Sequence, residues 1–178
     1  MGNILWSPDS KKIAFSTDSS IVIIDIQTNE ETVFIDDAGP AGITPANPVW
    51  LNPETLIYFK KLPESPQEAG IAIANLNKKT TEWITKEPYF SNIIYSPKKN
   101  KIYAQYKNEK TLWQIDPVTK KTERINKLNW NISEDVWLRG DIKLTPTQDR
   151  LIVPIGFNKN NPSSVESEIV FLTIDVDT

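Results

Sequence analysis

The chain has 178 residues, and its 20 basic and 23 acidic side chains give a formal net charge of −3. Nucleic-acid binders normally carry a basic face, so this balance argues against a nucleic-acid partner. The chain contains neither cysteine nor histidine, which excludes disulfides, thiol and imidazole catalysis and nearly all familiar zinc sites. Its apolar runs are too short to span a bilayer, and we expect no membrane insertion.

One motif recurs along the chain at a near-constant interval. An apolar segment followed by a tight turn occurs four times, with prolines at Pro8, Pro53, Pro97 and Pro146. The interval is roughly 44 to 49 residues, close to the 40–45 residues of one propeller blade. The sequence therefore predicts four consecutive repeats, at about residues 3–46, 47–89, 90–135 and 136–178.

Each repeat contains β-rich runs that we name strands a to d in chain order. In repeat one they are Ile4–Trp6, Lys12–Ser16, Ile21–Asp25 and Thr32–Ile35. In repeat two they are Val49–Leu51, Leu56–Lys60, Ile71–Asn75 and Thr81–Ile84. In repeat three they are Ile93–Tyr95, Lys101–Gln105, Leu112–Asp116 and Thr122–Ile125. In repeat four they are Ile142–Leu144, Arg150–Val153 and Ile169–Thr173, with no strand d.

This pattern predicts an all-β fold, a β-propeller of about four four-stranded antiparallel blades. No stretch has the apolar spacing of a capped helix. Because repeat four lacks its outer strand, we interpret the chain as a segment of a larger propeller. The alternative is a four-bladed ring whose last blade has three strands. An uncovered sheet edge also predicts self-association through open sheet edges.

The turns before strand b have residues suited to tight turns. In Ser7-Pro8-Asp9-Ser10 the proline presets its φ angle, and the serine can bond backbone amides ahead of it. Asn100 and Asp149 stand directly before strand b in repeats three and four. Both residue types accept left-handed backbone, so we expect a positive φ at each.

The segment Trp6 to Phe15 reads W-S-P-D-S-K-K-I-A-F, and it resembles the W-S-P-D-G-x-x-I-A-F repeat of TolB-type, WD-like bacterial β-propellers. Asp25-Ile26-Gln27-Thr28 and Asp116-Pro117-Val118-Thr119 resemble the end of strand c in that family. The resemblance implies a non-catalytic binding or scaffold propeller that docks proteins or other envelope components. It also implies an extracytoplasmic location, in the periplasm or cell envelope, although the composition is compatible with the cytoplasm.

Two enzymatic alternatives remain. The chain is also similar to the gating propeller of a larger prolyl-oligopeptidase-like serine peptidase, whose catalytic Gly-x-Ser-x-Gly elbow would lie elsewhere. A carbohydrate-active propeller would need carboxylates that converge on its channel. Within these residues we find no histidine base, no calcium loop and no phosphate-binding glycine loop, so we predict no enzyme, no catalytic residue, no cofactor and no metal.

The aromatic residues divide into two groups. Five stand at strand positions that predict packing between blades: Trp6, Trp50, Trp83, Tyr95 and Trp113. Trp130 and Trp137 lie with Arg139 in the long stretch between strand d of repeat three and strand a of repeat four. Trp and Arg often dominate interface energetics, so we predict that these three residues contact a protein partner. For Trp137 the alternative is that it extends strand a and packs inward.

The lengths of the connections between strands indicate where on the sheets a protein partner would bind. By alternation of strand direction, a–b and c–d turns lie at one end of a sheet, and b–c and d–a connections lie at the other. The a–b and c–d turns are short, whereas residues 36–48, 62–70, 127–140 and 156–168 form four long connections of the b–c or d–a type. Long loops on a rigid scaffold commonly carry recognition, so the partner is expected at their end.

Overall fold

The computed structural model describes residues 4–17, 20–36, 38, 48–88, 90–106, 111–125, 136–138, 141–158 and 167–175. These residues form strands and turns, and no helix occurs among them. The strands assemble into four antiparallel sheets, which confirms the all-β prediction. Within this described part, no helix is long and apolar enough to cross a membrane.

The sheets follow one another along the chain. Sheet one contains β1 (Ile4–Trp6), β2 (Lys12–Ser16), β3 (Ile21–Asp25) and β4 (Glu31–Ile35). Sheet two contains β5 (Val49–Asn52), β6 (Thr55–Leu62), β7 (Ser65–Asn75) and β8 (Thr80–Thr85). Sheet three contains β9 (Phe90–Ser96), β10 (Lys101–Tyr106), β11 (Leu112–Ile115) and β12 (Thr122–Arg124). Sheet four contains β13 (Val136–Leu138), β14 (Lys143–Leu144), β15 (Arg150–Asn158) and β16 (Ser167–Asp175).

In sheet four, strand a is divided into β13 and β14. Both pair with β15, while β16 pairs with β15 along its whole length, from Arg150 opposite Asp175 to Asn158 opposite Ser167. Since β16 occupies one edge of β15, β13 and β14 share the other edge. The interruption lies opposite Pro154, which has no amide hydrogen to donate to a ladder.

The chain divides into two compact units, residues 1–95 and residues 96–178. In the first unit, one face of sheet one packs on one face of sheet two. The buried cluster between them consists of Ala14, Ile21, Ile23, Ile35, Ala38, Trp50, Leu56, Tyr58, Ala72 and Ala74. The indole Nε1 of Trp50 donates a 3.2 Å hydrogen bond to the Leu5 carbonyl oxygen, and Lys12 Nζ donates one of 3.4 Å to the Pro53 carbonyl. These bonds fix the two sheets at the ends of their inner strands.

The second unit has a buried interior of its own. Its fully buried large side chains are Tyr103, Ile102, Leu112, Ile115, Ile142 and Leu151. Ser96 Oγ and the Lys98 amide donate hydrogen bonds of 3.2 and 3.1 Å to Oε1 of Gln148. The turn before β10 is therefore joined to the turn before β15, because one glutamine side chain bridges the two.

The turns before strand b require left-handed backbone at one residue. The positive φ angles there are 59° at Ser10, 50° at Asn100 and 57° at Gln148. The prediction for Asn100 is confirmed. The prediction for Asp149 is wrong, because Gln148 takes the strained position while the Asp149 carboxylate accepts hydrogen bonds from the hydroxyls of Thr145 and Thr147.

The turns after strand c share one construction. A side chain at or just after the end of strand c accepts hydrogen bonds from backbone amides two or three positions ahead. Asp25 accepts from Gln27 and Thr28, and Asp116 accepts from Val118 and Thr119. Asn75 does the same for Lys78. The φ angle is positive four residues after each cap, at Asn29, Lys79 and Lys120. A short polar side chain thus replaces a ladder bond and closes each turn.

Two expectations from the sequence are wrong. Residues 62–70 are not a long loop, because β6 and β7 continue and turn at Pro63 and Glu64. The ladder shifts register beyond Lys61, so Pro66 lies in a bulge where no ladder amide is needed. Trp6 is 56% exposed and does not pack as the equivalent Trp50 does, which is 8% exposed. Trp50 lies in the cluster between sheets one and two, whereas Trp6 lies on the opposite face of sheet one.

Candidate partner-binding surface

The two ends of each sheet differ in their connections. At the end that we call the turn end, the a–b and c–d turns are closed by side chains such as Ser7, Asp25 and Asp116. At the opposite end, the connection end, are the longer segments 36–48, 125–135 and 159–166. Most residues of these segments lie outside the described part of the chain.

Of the three residues predicted to contact a partner, Trp130 falls between β12 and β13 in the chain, Trp137 within β13, and Arg139 directly after β13. Trp130 and Arg139 lie outside the described residues. The backbone of Trp137 lies in β13, opposite Gly156 near the far end of β15, so it extends strand a as the alternative had it. The position of its side chain is outside the described structure, and the binding role of all three remains a prediction.

Three described residues lie close together at the connection end of sheet two: Lys60, Trp83 and Lys86. The ammonium nitrogen of Lys60 lies 5.6 Å from the centroid of the Trp83 ring, and that of Lys86 lies 5.7 Å from it. Lys60 Nζ also donates a 3.1 Å hydrogen bond to Thr81 Oγ1. Trp83 is half-buried, with one part packed on the core of the first unit. The indole therefore anchors two cations at the surface.

Gly70 makes this cluster sterically feasible. It pairs with Lys60 across the β6–β7 ladder, and a Cβ atom built on it would lie 3.0 Å from Trp83 Cζ3. Without a side chain at position 70, the indole lies directly over the strand that separates β6 from β8. Lys60 can then approach a ring that belongs to a strand two positions away in the sheet.

The sequence alone did not single out this cluster. Trp83 was expected in the core between blades, and the structure places part of it there. Lys60 and Lys86 drew no prediction, because nothing in the linear pattern pairs strand b with strand d. The available signal was Gly70, an isolated glycine inside a strand pattern, which marks a close approach by another group.

The chemistry of the cluster favours an acidic protein segment. Two ammonium groups attract a carboxylate, and the exposed part of the indole offers apolar area beside them. Ala38, buried and paired with Lys60, brings the connection that follows β4 to the same place. A partner could therefore contact the cluster and that connection together.

The carboxylates at the turn end form hydrogen bonds that stabilise the turns. Asp116 accepts a 2.7 Å hydrogen bond from Lys101 Nζ and bonds from the amides of Thr119 and Val118, which hold its pKa well below the ordinary value. The Asp9 pKa is lowered mainly by a 2.6 Å hydrogen bond from the Ser7 hydroxyl. Among the described residues, no group of three acidic side chains could hold a metal ion.

Comparison with known proteins identifies the fold. Neither a protein-family model nor a curated protein sequence matches this chain. TolB from Acinetobacter baumannii matches in structure with a TM-score of 0.65 and 17% identity, over 99% of this chain and 42% of that one. A putative TolB from Agrobacterium tumefaciens matches with a TM-score of 0.66 and 14% identity, over 97% and 60%. The chain has a TolB-like β-propeller fold.

The same TolB-like fold occurs in an enzyme. Oligogalacturonate lyase from Vibrio parahaemolyticus matches with a TM-score of 0.66 and 14% identity, over 95% of this chain and 52% of the lyase. The chain therefore spans 42 to 60% of the length of these three proteins. Because unrelated functions share one fold, a TolB-like propeller does not by itself assign catalysis.

Proposed function

We propose that this TolB-like propeller is a non-catalytic binding module that docks a protein through its connection end. The observation that carries the proposal is the Lys60–Trp83–Lys86 cluster, which presents two cations around a half-exposed indole. Trp130 precedes β13 in the chain and Arg139 follows it, and β13 pairs with the half of β15 nearer the connection end. Large aromatic and cationic side chains on a rigid sheet are the usual anchors of protein interfaces.

The partner segment is acidic, and the chain works in the cell envelope. The charge of the cluster supports the first statement, since a negative segment would gain from both lysines. The resemblance to TolB supports the second. Binding of this kind weakens as salt concentration rises, because ions screen exposed charges over about 8 Å at physiological strength.

The experiment uses the absence of cysteine from the chain. A single introduced cysteine can carry a photocrosslinker at one defined place. Glu87→Cys places it beside the cluster, and Glu54→Cys places it in the a–b turn at the opposite end of the same sheet. Both glutamates are exposed, so the two variants form a matched pair.

In cells that make the protein, Glu87→Cys should form a defined crosslinked adduct, and Glu54→Cys should not. Adding Lys86→Gln to Glu87→Cys should reduce that adduct, because one of the two cations is removed. Adducts formed only from Glu54→Cys would contradict the proposed surface. An adduct yield from Glu87→Cys that Lys86→Gln does not change would contradict the role of the cluster.

A further inference from the structure

Three turns lie together at the turn end of the second unit, at residues 96–101, 116–121 and 145–150. Gln148 Oε1 accepts a hydrogen bond from the Lys98 amide, and Lys98 Nζ donates one of 3.2 Å to the Thr147 carbonyl oxygen. Lys101 Nζ donates a 2.7 Å hydrogen bond to the Asp116 carboxylate. The first turn is therefore joined to both of the others, and together they form what we call the three-turn surface.

The three-turn surface has an excess of cations, although the whole chain has a net charge of −3. Its cations are Lys98, Lys99, Lys101, Lys120, Lys121 and Arg150, and its carboxylates are Asp116 and Asp149. Two further carboxylates adjoin it on neighbouring strands, where Glu123 forms an ion pair with Lys121 and Asp175 stands opposite Arg150 on the ladder. Even with these two included, cations outnumber carboxylates by six to four, so the surface is positive.

Each of the three turns also has an exposed apolar residue. Val118 is 75% exposed, the largest value among the large apolar side chains of the described residues, and Pro97 and Pro146 are exposed in the other two turns. The Asp116 carboxylate accepts a 2.9 Å hydrogen bond from the Val118 amide, which fixes the backbone of this turn. One exposed apolar residue is ordinary, but here three lie in adjoining turns that also contain the lysines. They lie in turns between strands, so their exposure does not come from an uncovered sheet face.

We propose that the three-turn surface binds the anionic headgroups of a phospholipid bilayer, with Val118 at the depth of the headgroups. Each lysine near an anionic membrane surface strengthens binding, and an apolar side chain adds contact at the boundary of the acyl chains. The binding is peripheral, because turns contact the headgroups while the strands stay outside the bilayer.

The composition of the three turns favours a bilayer over other anionic partners. They contain no aromatic residue, whereas single-stranded nucleic acids are bound by stacking on aromatic rings, and protein interfaces are commonly anchored by them. Lysines around small apolar side chains are sufficient for an anionic membrane surface. In sheets three and four the connection end is the opposite one, so a bilayer at the turns leaves that end open to a protein.

Sedimentation with lipid vesicles tests the proposal. The 178-residue chain should bind vesicles of phosphatidylcholine and phosphatidylglycerol in equal parts, and it should not bind vesicles of phosphatidylcholine alone. High salt should release it, because ions screen exposed charges. The net charge of −3 would by itself oppose binding to an anionic bilayer, so binding requires a local positive surface. No binding to the mixed vesicles, or equal binding to both kinds, would overturn the proposal.

Variants locate the contact on the molecule. Lys98→Gln and Lys120→Gln should each weaken binding to the mixed vesicles about fivefold, and Val118→Asn should weaken it severalfold although it changes no charge. Lys143→Gln, at an exposed strand position of the same unit, is the matched control and should bind like the wild type. Thermal unfolding of each variant checks that it folds.

Two results with these variants and vesicles would overturn the proposal. The first is binding that Lys98→Gln, Lys120→Gln and Val118→Asn all leave unchanged. The second is competition by free glycerol phosphate, which would indicate a pocket for a single headgroup instead of contact with a bilayer surface.

Discussion

Gly70 occupies a point in β7 where the sheet leaves no room for a side chain. A Cβ atom there would lie 2.4 Å from the Thr85 carbonyl oxygen and 3.0 Å from the Lys86 Cα atom, both of them backbone. Backbone atoms cannot rotate away as the end of a flexible side chain can. This one residue therefore sets the distance between β7 and β8 beside the Lys60–Trp83–Lys86 cluster.

Gly70→Ala should lower the free energy of unfolding by about 1–3 kcal/mol, because the added methyl group forces β8 to shift. Urea denaturation measures this change. Glu64→Ala, at an exposed turn residue of the same hairpin, is the control and should leave stability nearly unchanged. Equal stability of Gly70→Ala and the wild type would contradict the close approach.

Asp149 shows how a turn side chain couples stability to pH. Hydrogen bonds from Thr147 and then Thr145 lower its pKa from 3.8 to about 2. The folded state therefore holds this proton less tightly than the unfolded chain does. The stabilisation is fully present above pH 3.8 and is lost as the pH falls through about 2.

Thr147→Val removes the larger of these causes, so the pKa of Asp149 should rise toward its ordinary value. The variant should lose less stability than the wild type between pH 4 and pH 2, within the window of about 3.8 to 2. Carboxyl chemical shifts measured during an acid titration report the pKa directly. Thr122→Val, at an exposed strand position, is the control, and a Thr147→Val titration identical to the wild type would contradict the assignment.

At the scale of the strands, Trp50 and Trp6 occupy equivalent positions in sheets two and one, but only Trp50 is buried. Trp50→Ala should cost about 3–5 kcal/mol of unfolding free energy, because it empties the contact between sheets one and two. Trp6→Ala should cost far less, because Trp6 is 56% exposed. Chemical denaturation of both variants measures the difference. Equal costs would show that the two sheets are not packed as described.

The strands themselves were largely predictable from the sequence, and the exceptions have local causes. Residues 62–70 hold two prolines and three acidic or amide side chains, which is typical of a loop. The hairpin accommodates Pro63 in its turn and Pro66 in a bulge, so neither proline breaks a ladder. Asn100 and Asp149 looked equivalent, but the hydroxyls of Thr145 and Thr147 engage the aspartate, and Gln148 adopts the positive φ instead.

For the whole molecule, the repeat interval predicted a propeller, and the resemblance of residues 6–15 to the TolB-type repeat indicated the TolB-like form. Repetition fixes which strand follows which, and strand alternation fixes which end carries the turns. The candidate site was harder to predict from the sequence. The contact of Lys60 with Trp83 crosses the strand between them, and it requires that Gly70 on that strand has no side chain. The sequence predicted that a partner would bind at the connection end, but it did not predict the cluster of described residues there.

The most direct test of the central claim is the affinity of the crosslinked partner, once purified, for variants at the two ends of the sheets. Lys60→Gln with Lys86→Gln at the connection end should raise the dissociation constant at least about tenfold, as should Trp130→Ala and Arg139→Ala, without lowering the thermal midpoint. Lys78→Ala and Lys120→Ala at the turn end should bind like the wild type. Unchanged binding by the connection-end variants, with losses confined to Lys78, Lys120 and Asp9, would contradict the account.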